Sequence, residues 1–229
     1  MKRIFAFLIP ACLLLSSCNS ATPIATPTAP PETIAVQYTS AAVPWLTGLY
    51  NCAGAYMVTA EQRAADFLDP QAIDLAIRIG QPANLTFPSY QIGSEDILVI
   101  VNPQNPTSSL IAEQVRGLFN GQVLNWQEVG GSDAQVQVWT FSSGEDVQQI
   151  FEQTVLEGSQ VTSTARLASG PDEMAQAIAI DVNAIGILTR HWKAGNVTEV
   201  YTVATVPVLA TTRDTPQVAV QKLIACLQK

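Results

Sequence analysis

An α/β architecture with mixed, mostly parallel sheets is predicted for the chain between Ile34 and Lys229 by three features. Apolar runs of strand length alternate with helix-patterned stretches. Gly, Pro, Asn or Ser clusters punctuate the changeovers, and the strand runs are rich in Ile, Val and Leu. In such sheets the ligand sites lie beyond the carboxyl ends of strands.

The elements follow in order. Ile34–Tyr38 alternates apolar and polar residues as a strand, and Thr39, Ser40 and then Pro44 lead into a helix to about Ala53. Met57–Thr59 reads as a short strand, and Thr59 followed by Gln62 has the capping-box spacing for a helix through Phe67. Ile73, Leu75, Ile77 and Ile79 make a strand that Gly80 and Pro82 end. The unbroken apolar run Ile97–Val101 suits a buried strand, stopped by the turn Asn102–Pro106. Val115, Leu118 and Phe119 share one face of a helix over Ala112–Phe119, closed by Asn120 and Gly121. Val136–Phe141 is the next strand, and Ser142 and Ser143 cap a helix from Gly144 to Leu156. Pro171 with Asp172 and Glu173 starts a helix to Ile180, ahead of a strand over Ala184–Leu188. Val200–Val203 and Val206–Thr211 read as two strands, the second at an edge because of Pro207. Thr215 and Pro216 launch a last helix to Leu227.

The chain opens on Met1, Lys2 and Arg3 and an apolar run from Ile4 to Leu15, the pattern of a secretion signal over residues 1–17. The run is too short for a membrane span, which takes about 20 apolar residues, and Pro10 interrupts it. Leu15-Ser16-Ser17-Cys18 resembles a lipobox, which implies lipidation of Cys18 and attachment of the export product to the outer face of the cell membrane. Residues 18–33, with four prolines and no apolar periodicity, form a tether.

The formal charge is −8, made two units more negative by loss of Lys2 and Arg3, so nucleic acid is excluded as a partner. Beyond the signal and Cys18, the remaining cysteines are Cys52 and Cys226. An oxidising compartment favours a bridge between them, with two buried thiols as the alternative. A bridge would join the first helix to the last, for up to about 5 kcal/mol by the chain-entropy model.

The middle of the chain carries a series of motifs: Ile97–Pro106 (ILVIVNPQNP), Ser109–Gly121 (SLIAEQVRGLFNG), Asn125–Gly131 (NWQEVGG), the serine loop Phe141–Asp146 and Ala184–Leu188 (AIGIL). Together they resemble the phosphate-binding proteins of bacterial ABC importers, in the type II periplasmic binding superfamily. The resemblance is strong from about Asp74 to Leu188. It implies two α/β lobes around a cleft, with residues 34–100 and 206–229 in the first and 101–205 in the second. It also implies a monomer that hands a small anionic or polar solute to an ABC permease.

Two loops suit an oxyanion, because hydroxyls and main-chain N–H groups gather there: Thr39 and Ser40, and Ser142, Ser143 and Gly144. Each also serves as an ordinary helix cap. Arg78 is the one basic side chain on its strand and offers a bidentate fork, or a sheet-edge ion pair. Tyr38 and Trp45 stand near the end of the first strand, where aromatics usually belong to the core.

The chain departs from the family at telling places. The second loop of the family reads Ser-Gly-Thr with an arginine just before it, whereas Ser143 and Gly144 are followed by Glu145, and Thr140 and Phe141 precede them. Tyr56–Pro70 lacks the Gly-Ser-Gly-rich loop of the first lobe. Glu145 and Asp146 would repel a dianion, so the fold alone does not assign phosphate, and the expected ligand is phosphate or another small oxyanion or polar solute in the interlobe cleft.

Catalysis has little to build on. His191 is the one histidine, away from cysteine or acidic metal spacing, and Gly130 and Gly131 do not begin a nucleotide-cradling loop. No cofactor is expected, and Trp126 reads as core. Two functions stay open: a solute-binding lipoprotein of an importer, and a tethered sensor or interaction module descended from one.

Overall fold

The computed structural model describes residues 31–82 and 84–229. The signal, Cys18 and most of the tether lie outside the described residues.

One mixed sheet of eight strands organises the domain, in the order β2-β1-β3-β8-β4-β7-β5-β6. Two long antiparallel strands, β4 (Ser89–Val101) and β8 (Thr198–Thr211), form its central ribbon. Near one end of the ribbon β3 (Leu75–Ile79) pairs with β8, and β1 (Thr33–Tyr38) and β2 (Met57–Gln62) add on in parallel. Near the other end β7 (Ala184–Thr189) pairs with β4, and β5 (Gln137–Thr140) and the short β6 (Arg166–Leu167) extend the sheet in parallel. The sheet is therefore antiparallel at its middle and parallel on both flanks. Two lobes result, each with parallel strands whose carboxyl ends face the seam between them.

The first lobe carries α1 (Leu46–Cys52) and α5 (Val218–Leu227), which pack together and are bridged by a Cys52–Cys226 disulfide with a Cα–Cα distance of 5.8 Å. The second carries α2 (Ala112–Phe119), α3 (Asp146–Phe151, continued by a π-helical turn to Leu156) and α4 (Pro171–Ile180). Phe119 and Phe151 meet here at 4.5 Å between ring centres, both fully buried.

Two of the motifs that carry the resemblance have structural roles. Asn102 donates to the carbonyls of Ile178 and Ala179 and Asn105 to that of Val182, so the Asn-Pro-x-Asn-Pro turn fastens the C-terminal end of α4. Asn125 caps the short helical turn Trp126–Val129, and Trp126 is a core residue whose Nε1 donates to Asn183 O at 2.9 Å.

Three expectations are corrected. Residues 59–62 are strand, not helix, because β2 finds a parallel partner in β1 along its whole length, leaving only a 3-10 turn at Ala65–Phe67. Val200–Val203 and Val206–Thr211 are one strand, and it is central rather than edge. Pro207 is tolerated there because its carbonyl, and so the side that lacks an N–H, faces the point where β3 has ended; that carbonyl accepts from Gly80 N at 2.7 Å. Gly80 turns the chain away at φ +74°, a conformation glycine adopts freely.

Candidate functional site: the seam between the lobes

β1 delivers Tyr38, Thr39 and Ser40 to the seam, and β3 delivers Ile79. From the second lobe β5 runs into the turn Phe141–Glu145 and then α3, whose first residue, Asp146, is 1% exposed. Its carboxylate bridges the lobes. Oδ2 accepts from Thr39 Oγ1 at 2.6 Å and from Ile79 N at 2.8 Å, while Oδ1 accepts from Val147 N at 2.9 Å. Beside it Ser40 Oγ donates to Glu145 Oε2 at 2.9 Å. A further clasp joins Asp66, which accepts from Gln149 Nε2 at 2.7 Å and donates its N–H to Gly144 O.

Burial pushes the Asp146 carboxyl above its ordinary range, and the bonds from Thr39, Ile79 and Val147 and the charge of Arg78 oppose that rise. Glu145 is also raised, chiefly by burial and further by Asp146 and Asp66, against the Ser40 bond. Arg78 is lowered by burial despite the same two aspartates.

The sequence-predicted site residues therefore meet different fates. Thr39 and Ser40, expected as ligand-binding hydroxyls, are buried at the seam with their hydroxyls engaged by carboxylates of the chain itself. Ser142 and Ser143 are solvent-exposed and Gly144 half-buried, and their carbonyls serve the turn and the Asp66 clasp. Arg78 lines a separate cavity of about 160 Å³ with Leu68, Leu85 and Phe87, where its buried Nε has no hydrogen-bond partner.

A larger groove of about 710 Å³ opens beside the filled seam. Tyr38, Ser40 and Gln62 line it from the first lobe, and Ser169 to Glu173, Gln176 and Trp192 from the second. None of its lining residues is cationic, and Asp172 and Glu173 are acidic. Glu173 accepts from both the N–H and the hydroxyl of Ser169, bonds that hold its carboxyl below the usual range. Sequence reasoning read Gln62 and the start of α4 only as helix-start signals and did not single out Trp192. It set Tyr38 and Trp45 aside as core; Trp45 does pack on His191 at 5.3 Å between ring centres. Glu145 and Asp146 were visible as a departure, though not as partners of residues more than a hundred positions away. Among the described residues no cluster of His, Cys, Asp and Glu has metal-site geometry.

Residues 86–228 match the family model described as a PBP superfamily domain, which is more than half of the chain. The chain belongs to the PBP superfamily. Its fold is similar to that of a Clostridium perfringens protein named as a phosphate ABC transporter substrate-binding protein and solved with bound phosphate. That match has a TM-score of 0.77 at 16% identity and covers 86% of this chain and 93% of the other. An ABC-type phosphate transport receptor from Vibrio cholerae aligns with a TM-score of 0.68 at 20% identity over the same shares. The regulatory domain of an AphB variant from Vibrio vulnificus aligns with a TM-score of 0.54 at 11% identity, covering 85% of this chain and 96% of that one. The type II PBP fold thus occurs in proteins named for transport and in one named for regulation.

Proposed function

We propose that the protein is an extracytoplasmic solute-binding domain, tethered to the cell membrane through lipid on Cys18. It takes a small polar solute without net negative charge into the groove lined by Tyr38, Gln62, Trp192 and the start of α4, for delivery to an ABC permease. The supporting observation is the groove itself, which is faced by both lobes and offers hydroxyl, amide and aromatic groups but no lysine, arginine or histidine. Such a lining favours neutral or amine-bearing solutes and disfavours a phosphate dianion.

A thermal-shift screen tests this with phosphate, sulfate, polyols, amino acids and small amines. A solute at about 100 times its dissociation constant adds roughly 2.7 kcal/mol, or about 5–11 °C for a domain of this size. The expected hits are uncharged or cationic and are lost in Gln62→Ala and Trp192→Ala. Phosphate as the sole hit would reject the reading. Incorporation of radiolabelled palmitate that Cys18→Ser abolishes would establish the anchor.

The second reading, a sensor or interaction module with no transported solute, is favoured by the use of Thr39 and Ser40 within the chain. A screen without any hit would decide for it.

A further inference from the structure

We propose that Asp146 is a tethered anion: its carboxylate occupies an oxyanion seat built by the first lobe and so holds the lobes together without any free ligand. The seat is defined by what surrounds the carboxylate. Thr39 Oγ1 and Ile79 N reach it from the ends of β1 and β3, and both converge on one oxygen at 2.6 and 2.8 Å. Thr39 is fully buried. A hydroxyl and a main-chain N–H meeting at one buried point are a paired donor set for an oxygen anion, and such donors left empty would each carry a desolvation cost. The second lobe supplies the acceptor, 107 residues away in sequence from Thr39, so the bonds exist only when the lobes are docked. Glu145 repeats the arrangement one residue earlier, accepting from Ser40. Two further contacts cross the seam with the donor on the second lobe. Gln149 bonds Asp66, and Trp192 Nε1 donates to Ala41 O at 3.3 Å.

Two consequences follow. Free oxyanions are turned away, because the donors are taken and two carboxylates stand at the seat. The lobes are also closed before any solute arrives, so a solute in the neighbouring groove meets a preformed wall instead of having to drive closure. The tethered anion is independent of the function proposed above: it concerns the seat, not the groove, and holds with or without a transported solute.

Chemical rescue provides the test. In Asp146→Gly the seat loses its occupant while its donors stay, so formate, the smallest carboxylate, replaces the lost group. Melting temperatures are measured in sodium formate and in sodium chloride of equal ionic strength. The variant is expected to melt below wild type and to recover by at least about 3 °C at ten times the formate dissociation constant, whereas wild type responds equally to both salts. Small-angle scattering of solute-free protein is expected to give a compact wild type and an expanded variant that formate compacts. Equal response of the variant to formate and chloride, or a formate-specific shift of the same size in wild type, would overturn the proposal. Should Asp146→Gly not fold, Thr39→Ala and wild type are compared by scattering, and identical dimensions would overturn it equally.

Discussion

Removing the Cys52–Cys226 bridge is expected to cost more than any single packing change in the first lobe. The cysteines are 174 residues apart, so the bond closes nearly the whole folded domain into a loop. For a loop of that length the chain-entropy relation gives about 5 kcal/mol, an upper figure because real unfolded chains are partly compact. At 2–4 °C per kcal/mol, the double variant Cys52→Ala/Cys226→Ala should melt about 10–20 °C lower. The native contacts between α1 and α5 survive the change, so the loss lies in the unfolded state. Urea denaturation should then show a larger m-value and a lower midpoint, and stopped-flow kinetics should place most of the loss in slower refolding, with unfolding little altered. A drop under about 3 °C, or a loss carried entirely by faster unfolding, would refute the loop argument and assign the bridge a purely local role.

The remaining predictions concern the seam and the ribbon. Because burial raises the Asp146 carboxyl above its ordinary value of 3.8, the folded state binds its proton more tightly than the unfolded state. Ionisation as pH rises through the raised value therefore costs stability, a cost that the donors of Thr39, Ile79 and Val147 return only in part. Asp146→Asn should therefore gain on wild type as pH rises above that ordinary value in urea titrations; a constant difference would contradict this. In Gly93→Ala the new methyl would overlap the Trp45 ring, at a cost of about 1–3 kcal/mol measured from the urea midpoint. An unchanged midpoint would mean that the ring has room to move. His191→Ala deprives the buried Glu95 carboxylate of its side-chain partner and should cost about 1–3 kcal/mol, with His191→Gln recovering part of that loss. Equal stability of all three proteins would remove the bond from the account.

Much of the fold was legible because punctuation and periodicity agree in the second lobe. The helix boundaries at Ala112–Phe119 and Pro171–Ile180 fall where the sequence puts them, since Asn120-Gly121 and Pro171 leave little choice. Where a tertiary partner decides, local reading fails. The Thr59–Gln62 spacing imitates a capping box, and only the neighbouring β1 makes it strand. Pro207 signals an edge, and only the early end of β3 makes its central position acceptable. The seam was half legible: Thr39 and Ser40 could be recognised as donors, and Glu145 and Asp146 as misplaced charges. That the second pair satisfies the first is a fact of docking, which residue spacing does not encode.

The β4–β8 ribbon limits how such a protein can move. Both long strands pass from one lobe to the other without leaving the sheet, and their register slips between Gln91 and Gly93, between Ile97 and Leu98 and again between Val99 and Ile100. A loop between rigid bodies would act as a door hinge; a continuous pair of strands behaves as a leaf spring, storing restoring force in proportion to its flexure. Gaping should accordingly be shallow and elastic, concentrated at those three slips, and any docked machinery would sense torsion of the whole blade rather than the swing of one half.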